Sequence, residues 1–137
     1  VEGDGGTDGT GKATADGEAE APIDYDQLDN ETAVFTYLTQ EMGLSTATAC
    51  GVMANIEYES GFDPTAWGDG GTSHGLCQWH AGRCDNLSSF CRENGYDEDS
   101  VYGQLSFLAY ELSSSYPAVL EYLQNVEDSA DGAYDAA

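Results

Sequence analysis

The chain is poor in positive charge. Lysine and arginine together number 3 in 137 residues, against 26 aspartates and glutamates, for a formal net charge of −23. Nine of those acids and Lys12 fall in the first thirty residues, which leaves 17 acids and two arginines, Arg83 and Arg92, and a net charge of about −15 for the remainder. Phosphate recognition needs clustered Lys and Arg, so nucleic acid and anionic membrane surfaces are excluded as partners. What binds must be neutral, cationic, or held by stacking and hydrogen bonds. For most of the acids, solubility is explanation enough.

Long apolar runs are missing too. No stretch reaches the ~18 residues of a membrane-spanning helix, and no membrane insertion is expected. The chain opens at Val1 with neither an initiator Met nor a signal peptide, which reads as a processed or excised piece. No segment alternates with period two between turn signals, so strands are at most minor. Cysteines are few: Cys50, Cys77, Cys84 and Cys91, in a small acidic domain, favour an oxidising, extracellular setting with disulfides. Their spacing defines no connectivity. On one helix Cys84 and Cys91 would stand ~10.5 Å apart along the axis, so each is expected to pair elsewhere or stay free.

What is present is helical patterning behind a leader. Residues 1–29 are Gly, Thr, Ala and acids with almost nothing to bury, and are expected to form a disordered linker. Residues 30–137 are long enough for one domain. Asp29-Asn30-Glu31 offers an N-cap to a first helix reaching Met42, and Gly43 ends it. Ser45 caps a second helix with Ala49, Val52, Met53 and Ile56 as its stripe; Gly61, Phe62 and Pro64 mark its stop. Further helices are expected over about 81–93 and 100–113, and from Pro117 onward. The closing SADGAYDAA reads as the first turns of a sixth helix in a domain truncated at its C-terminus. The expected fold is mostly α, compact and small.

Glu59 is the residue that asks for a reason. It lies in the last turn of the second helix, where unpaired carbonyls carry partial negative charge and disfavour a carboxylate. A carboxyl kept protonated is what a general acid needs. Taken alone, a Glu there is more often a plain surface residue, and Glu57 sits on the opposite edge of the stripe. The loop that follows changes the balance. Gly68, Gly70 and Gly71 bracket Asp69, and allow close backbone approach to a ligand or positive φ. Trp67 and Trp79 supply flat apolar faces, while Gln78 and His80 supply donors and acceptors. Aromatic planes with scattered polar groups suit a sugar, although both tryptophans also read as core. Tyr102, Tyr110 and Tyr116 are candidate groove walls that helix packing explains equally well.

The block from Cys50 to His80 resembles the phage tail-type lysozyme domain, a branch of the lysozyme and lytic transglycosylase group. That group has Glu-Ser at a helix end, then a turn and a Gly-Leu-x-Gln helix; here these are Glu59-Ser60 and Gly75-Leu76-Cys77-Gln78. GDGGTSHGLCQWH is closer still to the tail-lysozyme branch, and similarity continues through Gly103-Gln104-Leu105 into GAYDAA. The resemblance implies a lysozyme-like helical domain with Glu59 as catalytic acid. It implies as substrate the β-1,4 glycan of peptidoglycan between N-acetylmuramic acid and N-acetylglucosamine. It further implies a monomer without cofactor or metal, outside the cell or at the cell wall, whether secreted or part of a phage tail or conjugation apparatus.

One departure matters. Many transglycosylases carry a Ser where this chain has Gly68-Asp69. Asp69 is therefore either a second carboxylate, positioning water or stabilising an oxocarbenium-like transition state, or a turn residue in a Gly-rich loop. In the second case the sugar's own 6-hydroxyl is expected to attack, giving an anhydro product. Two rivals from other classes remain: a glycan-binding module without turnover, and an adhesive domain whose acidic tail binds cations. His74, Cys77, His80 and Cys84 have zinc-ligand types at plausible spacing, but the flanking residues follow the lysozyme-like pattern without needing metal. Asp97-Glu98-Asp99 lacks the Gly and terminal Glu of a calcium loop and reads as a solvated turn.

Overall fold

Capping chemistry sets the helix ends. In the computed structural model of the protein, which describes residues 23–137, the Asp29 side chain accepts from the Thr32 amide and opens α1 (Asn30–Thr36). Ser45 does the same for Thr48 and opens α2 (Thr46–Ser60), which Gly61 closes in the left-handed region at φ 63°. Then come α3 (Gly82–Asn94), stopped by Gly95, and α4 (Val101–Ser115), capped by Ser100. Pro117 begins α5 (Pro117–Gln124), and Ser129 caps α6 (Ala130–Ala136). Among the described residues the architecture is six α-helices with one small sheet.

The first helix departs from expectation. It stops at Thr36, and Tyr37–Glu41 form a π-helical turn in which the Met42 amide reaches back to the Tyr37 carbonyl. The Thr39 hydroxyl donates to the Phe35 and Thr36 carbonyls, competing with the regular ladder where it slips register.

The sheet is antiparallel and minimal: β1 (Trp67–Gly68), β2 (Ser73–His74) and β3 (Trp79–His80). Its register pairs Trp67 with His74 and His74 with Trp79, and it pairs Gly68 with Ser73 and Ser73 with His80. Since cross-strand partners share a face, one face carries the row Trp67–His74–Trp79 and the other Gly68–Ser73–His80. The Gly75–Gln78 segment is a turn between β2 and β3, not the helix that the resemblance implied. Gly75 needs its missing side chain there: at φ 88° a Cβ would sit 2.6 Å from the Gln104 Oε1.

Val34, Leu38, Ile56, Leu76, Trp79, Leu87 and Leu105 form the heart of the core, with Phe107 beside them. Tyr25 joins it. This corrects the expected linker boundary: Tyr25 is buried against Tyr37 and Tyr102, with ring centroids 5.9 and 5.2 Å away. One aromatic in an otherwise polar stretch has enough apolar area to dock it. Residues 1–22 of the expected linker lie outside the described residues.

A buried amide holds the sheet to the helices. Gln104 on α4 accepts from the Leu76 amide at 2.8 Å and donates to the carbonyls of Pro64 at 2.7 Å and Glu98 at 2.8 Å. One side chain thus satisfies backbone groups from three separate loops, each of which would be expensive to bury unpaired. Elsewhere α6 packs on α2 at Gly51, where a Cβ would lie 2.5 Å from the Ala133 carbonyl oxygen.

The four cysteines are free thiols, contrary to the disulfides expected of an oxidising setting. Burial pushes the Cys91 thiol up to about 11 and the Cys77 thiol up to about 12. At those values they behave as small apolar side chains.

Candidate active site

Glu59 projects from the last turn of α2, with its helix end tied down. The Ser60 hydroxyl donates to the Leu76 carbonyl at 2.9 Å and to the Ile56 carbonyl at 3.2 Å, joining the helix terminus to the turn before Cys77. The Glu59 side chain is exposed, and among the described residues nothing donates a hydrogen bond to its carboxyl. It stands at the rim of a cavity of about 280 Å³. The walls are mostly apolar, with Val52 and Ile56 from α2, Leu108 and Leu112 from α4, and Cys77 beside them. Among the described residues lining it, Glu59 is the one with a formal charge at neutral pH.

A second carboxyl lies close by with the opposite character. Glu111 on α4 is buried and receives three hydrogen bonds: from Trp79 Nε1 at 3.0 Å, and from Arg83 Nε and an Arg83 terminal nitrogen at 2.8 Å each. Burial works to raise this carboxyl, but the Arg83 and Trp79 hydrogen bonds and the Arg83 charge outweigh it and hold it below the usual range. Both Glu59 and Glu111 are close enough to the Cys77 thiol to act on it electrostatically, each raising it. Sequence reasoning did not find Glu111. Its partners lie 28 and 32 residues away, and the one available signal was that Arg83 is among so few cations.

The other expected site residues divide between the two faces of the sheet. Ser73 donates to Asp69 Oδ2 at 2.6 Å, and His80 Nδ1 lies 2.9 Å from the same hydroxyl. The Ser73 hydroxyl directs its one proton at Asp69, so a bond between Ser73 and His80 Nδ1 requires the tautomer with a proton on that nitrogen. The order Asp–Ser–His leaves the hydroxyl, not the imidazole, in the middle, so this is not a nucleophilic triad. Asp69 itself adopts φ 52°, which an aspartate in a Gly-rich turn tolerates.

On the opposite face Trp67, more than half exposed, stacks on His74 with centroids 4.1 Å apart and planes 10° from parallel. Trp79 follows in that row but is fully buried, packed edge-on against Phe107. It presents no face to a ligand, so the expectation that it lines the groove gives way to a core role. Gln78 spends its amide donors on the Ala66 and Gly75 carbonyls at 3.1 and 2.9 Å, which shapes the turn. None of Trp67, Asp69, Gln78, Trp79 or His80 lines the Glu59 cavity.

Of the three tyrosines, Tyr102 packs in the aromatic cluster with Tyr25 and Tyr37, whereas Tyr110 and Tyr116 remain exposed. The four residues with zinc-like spacing do not converge. His74 and His80 occupy opposite faces of the sheet, which follows from their register one pair apart.

No match was found among the curated proteins or the solved structures. A model of the phage tail lysozyme family matches residues 29–137, from the N-cap of α1 to the last residue of the chain. That match spans the helix bearing Glu59, the sheet and every later helix, and the chain belongs to the phage tail lysozyme family.

Proposed function

We propose that this domain cleaves the β-1,4 bond between N-acetylmuramic acid and N-acetylglucosamine, with Glu59 as general acid/base. Family membership makes peptidoglycan the substrate and wall lysis the activity. The observation that carries the finer reading is the single carboxyl at the rim of an apolar-walled cavity, on a helix end that Ser60 fixes in place. The cavity is at the small end for a ligand site, about the scale of one sugar ring, and its apolar lining suits the methyl of an N-acetyl group.

In this reading Glu59 gives its proton to the bridging oxygen as the glycosidic bond breaks, and positive charge develops on the ring carbon and ring oxygen of the departing sugar. The resulting carboxylate then takes a proton from whichever hydroxyl attacks. Asp69 is held by Ser73 on the polar face of the sheet and acts through the shape of that loop. Trp67 offers its outer face to a sugar while its inner face rests on His74. Gln78 acts as a positioning residue.

Glu59→Gln tests the assignment. Lysis of cell walls should fall while the folded state and sedimentation with insoluble peptidoglycan persist; undiminished lysis would remove Glu59 from the chemistry and favour a binding module. Product mass identifies the attacking group. A terminal sugar lighter by about 18 mass units, one water, means attack by the 6-hydroxyl, and a full reducing end means hydrolysis.

A further inference from the structure

His74 is buried to 1% exposure, yet neither ring nitrogen makes a hydrogen bond. A buried imidazole normally has partners for both nitrogens, because an unpaired buried polar group is destabilising. Its Nε2 instead lies 2.9 Å from Asp99 Oδ1, close enough for an ion pair although it does not meet hydrogen-bond geometry. Glu98 completes the cluster, with ligand atoms of all three side chains within 4.8 Å of one another. These residues come from two segments that Gln104 locks together, since its amide holds the Glu98 carbonyl and its Oε1 holds the Leu76 amide, two residues after His74.

We propose that His74, Glu98 and Asp99 form a binding site for a borderline divalent cation of the zinc and manganese class. Two donors at about 2.1 Å from one ion stand about 3.0 Å apart at a right angle and about 3.4 Å apart at the tetrahedral angle, so the His74–Asp99 separation of 2.9 Å is close to the first and needs a small opening for the second. An imidazole with two carboxylates suits zinc or manganese; calcium prefers six to eight oxygens and gains little from a nitrogen. Asp99 is half-exposed, which leaves an approach from solvent and room for water as further ligands. The strongly acidic surface raises the local cation concentration. Through the Trp67–His74 stack, a bound ion would anchor the sheet and fix the indole at its edge.

The test is thermal unfolding of the metal-stripped protein with added zinc, manganese or calcium. Zinc at about 100 times its Kd should raise the midpoint by about 10 °C, manganese by less, and calcium by little. The double variant Glu98→Gln, Asp99→Asn should lose the zinc shift. Ring-nitrogen NMR of the wild-type protein gives a second readout that needs no variant: one equivalent of zinc should move the His74 resonances. No zinc shift, an equal shift in the double variant, or unmoved His74 signals would each overturn the site. Equal stabilisation by calcium would mean general screening of acidic charge. None of these readouts depends on lysis, so the site and the glycosidase assignment stand or fall separately.

Discussion

Two regions lie within electrostatic reach of the Cys77 thiol, and each holds a glutamate. At the end of α2, Glu59 faces apolar walls, and among the described residues no donor reaches its carboxyl. On α4, Glu111 is buried, bonded by Trp79 and gripped by Arg83. The second arrangement fastens α4 to β3 and α3. A carboxylate so firmly paired is held ionised and has no proton to give. The first is left open on a helix end that Ser60 ties down, as the proposed proton transfer requires. The two carboxyls thus differ in both partners and burial, and the proposed function assigns the proton transfer to the unpaired one.

Substitutions can break or sharpen that contrast. The largest effect is expected from Glu59→Gln: wall lysis should fall by about 100- to 10,000-fold, the range of a lost general acid, with the urea midpoint unchanged. An equal loss of stability would erase the distinction between the two glutamates. Next comes Gln104→Ala, which strands the Leu76 amide and the Pro64 and Glu98 carbonyls and should destabilise by about 3 kcal/mol or more in urea unfolding.

Glu111→Gln should cost about 2 kcal/mol at neutral pH, because the charged pair with the half-exposed Arg83 is lost. The sign of its pH dependence follows from the depressed carboxyl. The native state favours the ionised form, so the contribution is complete above the ordinary value of 4.5 and is lost as pH falls through the lower folded value. Wild type and Glu111→Gln should therefore converge in urea stability as the pH drops below about 4.5. A gap that held constant into acid would mean that the pair is not what stabilises.

The smallest effect is expected from Asp69→Asn, no more than about tenfold in lysis, because this carboxyl serves the loop through Ser73. A loss rivalling that of Glu59→Gln would make Asp69 a second catalytic group and hydrolysis the reaction.

Much of this protein is written in short range. Ser45, Gly61, Gly95, Ser100, Pro117 and Ser129 mark helix ends through contacts within a few residues, so short-range chemistry determines where α2, α4, α5 and α6 begin and where α2 and α3 end. Glu59 stood out as a candidate for the same reason: the helix, its stop and the Gly-rich loop are neighbours in the chain. The π-helical slip after Thr36 was less so, because helical periodicity does not reveal when a threonine hydroxyl will compete for carbonyls. Tertiary structure decided the rest. It placed Trp79 in the core rather than the groove, drew Tyr25 out of the acidic leader, and set the two histidines on opposite faces of one small sheet. It also joined Arg83 to Glu111, and His74 to Glu98 and Asp99. Those outcomes depend on which distant segments pack together. Composition and spacing describe a residue's chain neighbours, whereas burial and pairing belong to neighbours supplied by the fold.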